Sequence, residues 1–291
     1  MRASLRPRRA DANFDYARRL AAVRAGLRPY RLPGLLVTSP LNLRYLSGVA
    51  DAAWGLVTSG GCSVLPFGLG AEAARRDAAP GWRVLGLGDA WQALRREAAR
   101  AGVRRLGIEA GALTLDRHDR LRTGLQGDVM MIPTREVVEK ARERKDAAVL
   151  RLLARASWIA AEAGRQIPFL LRAGLTERAV AAELDREIRA LGADCPAFET
   201  IELGGSRSAL PHGRPGDRPF RAGDLCLADW GAAVDGYHSD CTRVWCLPRE
   251  TARQRRAYTA VLRAYRAGGR AVRGGRLRAA ADTAARAARG P

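Results

Sequence analysis

The first half of the chain alternates between short apolar runs and segments with helical spacing. Runs rich in Val, Leu and Ile predict strands at 34–39, 54–60, 62–68, 82–88, 104–111 and 128–134. Segments with helix-type spacing, bounded by Gly or Pro, predict helices at 14–28, 39–48, 71–78, 90–101 and 114–124. This alternation predicts an α/β domain built around a largely buried sheet.

A charged stretch at 135–149 interrupts the alternation. It leads into a segment at about 146–166 whose apolar residues form one stripe, which predicts a long helix. A chain of 291 residues is too long for one ordinary core, so two domains are expected. We place the boundary inside the charged stretch and predict domains at 13–138 and 146–291.

A second helix is predicted in the later part of the chain, at 176–191. Thr176 is a suitable N-cap for it, and Glu177 is favoured by the positive end of the helix. From about residue 197 the pattern changes and predicts strands.

The chain carries a formal net charge of +20, but the distribution of that charge is uninformative about partners. Of the 50 basic residues, 48 are arginines, and they are scattered among alanines and glycines without interleaved aromatic residues. This indicates a composition bias, and we expect no nucleic-acid partner because such a partner requires a contiguous basic face.

Targeting and redox signals point to a cytoplasmic protein. The basic start of the chain has no apolar core after it, so a secretory signal is not expected. No apolar run reaches the roughly 18 residues that a membrane span requires, so no membrane partner is expected. The five cysteines show no paired C-x-x-C spacing, which fits a reduced compartment.

Two acidic residues lie in a strand-forming stretch, DLCLADWGAAVDGYHSDCTR. Asp235-Gly236 is a tight-turn signal that divides this stretch into a hairpin. With that turn, Gly231 pairs with Asp240, and Asp229 lies diagonally across from Asp240 on the same face. A turn one residue earlier would pair the two aspartates directly. Both registers bring the two carboxylates within reach of each other.

Two carboxylates on one face of a ribbon repel each other unless one is protonated or a cation lies between them. Hard divalent ions prefer such oxygen ligands, so a metal site is one interpretation. The other is that Arg221 or Arg243 neutralises acids that simply flank the turn. The spacing alone leaves both interpretations open.

A wider set of motifs resembles one family, the pita-bread metallopeptidases, which include aminopeptidase P and Xaa-Pro dipeptidase. The motifs occur in the family's order: Phe198, Pro211-His212-Gly213, Gly223-Asp224-Leu225, the D-x-G at Asp229, Gly236-Tyr237 and the S-D-x-T-R at Ser239–Arg243. The stretch LLVTSPLNLRYLSG resembles the creatinase-type N-terminal domain, and EKARERKDAAVLRLLARA resembles the segment that links the two domains. The resemblance implies an α/β creatinase-like domain followed by an α+β pita-bread domain that is incomplete here.

The resemblance also implies a chemistry. Asp229 and Asp240 would be metal ligands for two divalent ions (manganese, cobalt or zinc), with Asp240 bridging them. His212 would hydrogen-bond around the peptide carbonyl or the developing oxyanion. The substrate would be a short peptide with proline in second position, and the protein would form a homodimer. His238 could approach the same face, but the family does not use this position as a ligand.

The family completes its site with a histidine in an H-G-x-G-H stretch and two later glutamates. The present sequence has no histidine after His238, and Glu250 is the only glutamate after Asp240. We therefore expect a C-terminally truncated peptidase with little or no activity. The alternative is a non-catalytic or metal-independent member of the same fold, either a creatinase-like enzyme or a binding protein.

Overall fold

The computed structural model describes residues 13–50, 53–86, 90–125, 127–172 and 174–290. These form two compact units divided between Ala148 and Val149. The basic start at 1–12, the last two residues of the strand predicted at 82–88 and the final residue of the second predicted domain lie outside the described residues.

The first unit is an α/β structure around a six-stranded sheet of order β4-β3-β2-β1-β5-β6. Its strands are β1 Gly34–Val37, β2 Ala53–Thr58, β3 Cys62–Pro66, β4 Trp82–Val84, β5 Arg105–Glu109 and β6 Met130–Thr134. Its helices are α1 Tyr16–Leu27, α2 Pro40–Ser47, α3 Gly70–Asp77, α4 Ala90–Arg100, α5 Leu115–Gly124 and α6 Val137–Glu143. The α/β architecture predicted from the alternating pattern is confirmed.

Helices cover both faces of this sheet, which explains why its central strands are apolar at consecutive positions. Leu35 of β1 belongs to a core cluster that includes Val23 of α1. The next residue, Leu36, belongs to a second cluster that includes Leu94 of α4 and Leu121 of α5. Consecutive side chains of a strand point to opposite faces, so each face buries one half of the run.

One buried carboxylate connects the end of β1 to the start of α2. Glu109 accepts hydrogen bonds from the backbone and hydroxyl of Thr38, from the backbone N–H of Ser39 and from the side-chain amide of Asn42. Several donors, two of them backbone N–H groups, compensate the desolvation of this acid. The Ser-Pro entry predicted for the helix is observed, with Pro40 in its first turn.

The second unit combines helices with two small antiparallel sheets. Its helices are α7 Ala147–Gly164, α8 Ile167–Arg172, α9 Glu177–Ala190, α10 Ala252–Ala271 and α11 Ala279–Arg289. One sheet has the order β11-β10-β7 and the other β12-β9-β8. The strands are β7 Cys195–Pro196, β8 Ile201–Gly204, β9 Leu225–Trp230, β10 Ala232–Val234, β11 Tyr237–His238 and β12 Cys241–Cys246.

The two helices predicted from the sequence of this unit are confirmed as α7 and α9. Thr176 is the N-cap of α9, and its hydroxyl accepts a hydrogen bond from the backbone N–H of Ala179. The buried face of α9 carries Val180, Leu184 and Ile188. Among the described residues, no helix combines the length and apolar character needed to cross a bilayer.

Glu202 of β8 is a buried acid without compensation. Glu202 is 0% exposed, and neither carboxyl oxygen has a hydrogen-bond partner among the residues that the structure describes. Burial raises the pKa of Glu202 well above its usual range, and the charge of Glu177 raises this pKa further. The neutral form of Glu202 is therefore favoured in the folded unit.

Replacing Glu202 with leucine is expected to stabilise the second unit by about 1–3 kcal/mol at neutral pH, because an unpartnered buried acid is removed. Above the unfolded-state pKa of about 4.3, the folded state holds a proton that the unfolded state has released. The wild-type protein thus loses stability as pH rises through that value, and the advantage of E202L should grow from pH 4 to pH 7. Calorimetric unfolding at several pH values measures it; an advantage that shrinks as pH rises would contradict the assignment.

Candidate functional site

The hairpin that carries the two candidate aspartates has the first of the two predicted registers. Val234 pairs with Tyr237 in β10 and β11, and Asp229 pairs with Thr242 in β9 and β12. The alternative register, in which the aspartates pair directly, is wrong. The reason is the turn: Asp235 has a φ of +50° and Gly236 a φ of +75°. Both central residues of the favoured two-residue hairpin turn require positive φ, which fixes them as 235 and 236.

The hairpin bends where its ladder passes from one small sheet to the other. A Cβ atom at Gly231 would overlap the backbone oxygen of Ser239, so the close approach of the two strands requires glycine. The hydroxyl of Ser239 accepts a hydrogen bond from the backbone N–H of Ala232 and donates one to the carbonyl of Ala156 in α7. These bonds hold the bend against the first helix of the unit.

Asp229 lies on the more open face of β9. Its neighbours Ala228 and Trp230 are buried on the opposite face, at 0% and 2% exposure, whereas Asp229 is half-buried. The hydroxyl of Thr242 donates a hydrogen bond of 3.0 Å to Oδ1 of Asp229. This bond orients the carboxylate.

Asp240 meets Asp229 on this open face, as the hairpin pattern predicts. Partial burial raises the pKa of Asp229, and the negative charge of Asp240 together with side-chain hydrogen bonding between the two carboxyl groups raises it further. The hydrogen bond from Thr242 acts in the opposite direction. The two acids are therefore close enough to disfavour ionisation of Asp229, which is the situation that a bound cation relieves.

No guanidinium neutralises the two aspartates within the described ranges. Arg221 donates its backbone N–H to Asp224, and the guanidinium of Arg243 donates to the carbonyl of Thr242. Among the described residues, no ion pair joins Arg221 or Arg243 to Asp229 or Asp240, so the contacts do not support neutralisation of the two acids by these arginines. The two carboxyl groups offer oxygen ligands, and no ion pair to either of them is found among the described residues.

His212 is exposed and lies in the segment between β8 and β9. In the part of the chain that the structure describes, no hydrogen bond or ion pair joins His212 to Asp229 or Asp240. Likewise, no group of three or more His, Cys, Asp or Glu side chains that could hold a metal ion is found among the described residues. The structure thus brings the two predicted ligands together, and among the described residues it shows no direct contact between them and the predicted substrate-contacting histidine.

The sequence alone does not indicate the contacts of two further residues in this region, Thr242 and Glu177. Thr242 belongs to the S-D-x-T-R motif, and once the turn is fixed its position opposite Asp229 follows from the pairing. Glu177 was assigned only to the start of α9, yet it accepts hydrogen bonds from the backbone of Gly204 and Gly216 and from Arg207. Those partners lie 27 to 39 residues away along the chain, so no local pattern indicates them.

Two family models match the chain in succession. The creatinase/prolidase N-terminal domain matches residues 19–144, and metallopeptidase family M24 matches residues 151–289. Together they account for most of both compact units.

Curated relatives support this assignment. An uncharacterized peptidase of Bacillus subtilis, YqhT, is 32% identical over 213 residues, which is 73% of this chain and 60% of the relative. An Xaa-Pro dipeptidase of Pyrococcus furiosus is 34% identical over 162 residues, 55% of this chain and 42% of the relative. The chain therefore spans between about two fifths and three fifths of the length of these relatives.

Solved structures agree over nearly the whole chain. An Xaa-Pro dipeptidase from Bacillus anthracis superposes with a TM-score of 0.89 at 26% identity and covers 94% of this chain and 77% of that structure. The dipeptidase PepE from Mycobacterium ulcerans gives a TM-score of 0.80 at 29% identity, with coverage of 94% and 77%. With the fold, the motif order and these similarities in agreement, the chain belongs to the pita-bread peptidases of metallopeptidase family M24 and carries a creatinase/prolidase N-terminal domain.

Proposed function

We propose that the chain represents a divalent-metal-dependent peptidase of the Xaa-Pro dipeptidase or aminopeptidase type. The observation that carries the proposal is the pair of carboxylates, Asp229 and Asp240, which meet on one open face of the hairpin and have no ion pair to a basic side chain within the described ranges. A metallopeptidase family implies divalent ions in general, and the relatives include proteins named Xaa-Pro dipeptidase. The proposed substrate is a short peptide with proline in second position.

The donor set fits a hard divalent cation as part of a site. Both groups are carboxylates, and such oxygen ligands are preferred by ions such as manganese. The pKa of Asp229 is raised by partial burial and by the charge of Asp240, so a cation between the two would favour the ionised forms. Thr242 holds Oδ1 of Asp229 and so supplies the orientation that a ligand carboxylate requires.

Each residue has a defined role in this proposal. Asp229 and Asp240 would hold two divalent ions, which when bound would activate water as a nucleophile and polarise the scissile carbonyl. His212 hydrogen-bonds the peptide carbonyl or the oxyanion that develops from it. The proposed domains are 13–138 and 146–291, and the proposed assembly is a homodimer of a cytoplasmic protein.

A second candidate function is supported by one observation. No third His, Cys, Asp or Glu side chain joins the two aspartates in the part of the chain that the structure describes. Two carboxylates alone make a weak, open site. That composition favours a member of the same fold that binds peptides or acts without a metal.

Metal titration separates the two candidates. We expect calorimetry with manganese or cobalt to show binding by the wild-type chain, and D240N to weaken it by at least about tenfold, because even partners outside the ligand shell are worth that much. The matched control is D217N, which removes an exposed acid paired with Arg178 in the same unit. Absence of binding at millimolar metal, or equal binding by D240N and wild type, would remove the metal-dependent proposal and leave the second candidate.

Thr242 gives a finer test of the same site. T242V retains the shape of the side chain but cannot donate the hydrogen bond to Asp229, so we expect metal affinity to fall by about tenfold. T259V makes the same chemical change on exposed α10, where the hydroxyl donates to the carbonyl of Arg255 in its own helix. Equal affinities for T242V and T259V would show that the hydroxyl does not orient the ligand.

A further inference from the structure

Both ends of the segment that contains His212 donate hydrogen bonds to one buried carboxylate, that of Glu177. Glu177, the first residue of α9, is 0% exposed. Its Oε1 accepts the backbone N–H of Gly204 at 3.0 Å, and its Oε2 accepts the backbone N–H of Gly216 at 3.0 Å. Nε of Arg207 donates to both oxygens, at 3.2 and 3.0 Å. The two glycines lie on either side of His212, so one side chain closes the segment into a loop.

Further bonds reinforce this closure. The guanidinium of Arg207 donates to the carbonyl of Arg214 at 2.6 Å. The backbone N–H of Arg178 donates to the carbonyl of Gly216 at 2.9 Å. The start of α9 and the side chain of Arg207 thus contact the loop between 204 and 216 on both sides of its tip.

The tip of the loop has few apolar anchors of its own. Leu210 is 48% exposed, and Pro211 and His212 are also exposed. Gly213 packs closely on Leu203 of β8. Because little apolar surface is buried at the tip, its conformation depends mainly on the polar ties at its base.

The surroundings of Glu177 favour the ionised form of its carboxylate. It lies in the first turn of a helix, where a negative charge is stabilised. Arg207 forms an ion pair with it at 3.0 Å. The hydrogen bond to Asp224 raises the pKa of Arg218, and the charges of Asp224 and Glu177 raise this pKa further. The neighbouring carboxyl of Glu202 makes no hydrogen bond and so does not compete for the donors that Glu177 uses.

We propose that Glu177 is a positioning residue for His212: it fixes the two ends of the 204–216 loop and thereby sets where the imidazole lies. The functional meaning rests on the substrate-contacting role proposed above for His212. The positional claim itself concerns the loop alone and is testable without metal or substrate.

The chain has only three histidines, His118, His212 and His238, so imidazole NMR resonances resolve the effect directly. E177Q replaces one acceptor oxygen with an N–H₂ group that faces a backbone donor. We expect the His212 resonance to shift or broaden in E177Q while His118 and His238 are unchanged. Amide exchange at Gly204 and Gly216 should accelerate by about tenfold or more, because each loses a charge-assisted bond.

The matched control is E183Q on the same helix, where Glu183 pairs with Arg186 on the exposed side. E183Q should leave all three histidines and both glycine amides as in the wild type. If E177Q leaves His212 unchanged, or changes all three histidines alike, the assignment is overturned. The first result would show that the loop holds itself, and the second would show a general loss of structure.

A second variant keeps the test decisive if E177Q does not fold. R207A removes the partly exposed guanidinium that pairs with Glu177. Its control is R186A, which removes the guanidinium that pairs with Glu183 on the same helix. We expect a smaller change of the His212 resonance in R207A and none in R186A; identical spectra for the two variants would overturn the assignment. Failure to bind metal would remove the proposed function without affecting this outcome, so the two failures are distinguishable.

Discussion

The register of β9 against its hairpin partner is the constraint on which the candidate site depends. Side chains of a strand alternate between faces, so a slip by one residue would send every outward group of β9 to the other side. Asp229 would then enter the face occupied by Ala228 and Trp230, which are 0% and 2% exposed, where burial of a carboxylate is costly. The positive φ angles at Asp235 and Gly236 prevent this slip by specifying the residues at the turn.

The acidic side chains of the two units differ in how many hydrogen-bond donors they receive. Glu109 and Glu177 receive several donors each, including backbone N–H groups that no side-chain rotation can withdraw. Glu202 receives none. Asp229 has an intermediate status, with one hydroxyl donor and a second acid beside it. The first group holds loops in place, whereas Asp229 retains oxygen atoms that remain available for a ligand.

Much of this arrangement is predictable from the sequence because it rests on local signals. Apolar runs predict the six strands of the first unit, and Asp235-Gly236 predicts the observed register of the hairpin. Strand ends are less predictable: within the described part of the run expected at 82–88, the strand β4 covers Trp82–Val84, which pair with Cys62–Val64 of β3. Glu202 lies between Ile201 and Leu203, a pattern typical of a strand with a solvated face, yet the acid is buried. The burial of Glu202 depends on tertiary packing, and so do the hydrogen bonds of Glu177 to Gly204 and Gly216.

The hairpin also contains a pair of indoles. Trp230 of β9 and Trp245 of β12 stack with ring centroids 6.2 Å apart and an interplanar angle of 29°, and Nε1 of Trp230 donates to the carbonyl of Ala160 at 2.7 Å. Trp230 immediately follows Asp229, so chromophores rigidly attached to the candidate ligand strand lie in a fixed, asymmetric arrangement. The two stacked indoles should give a near-ultraviolet circular dichroism signal in the unlabelled protein. That signal should change whenever β9 and β12 move relative to each other.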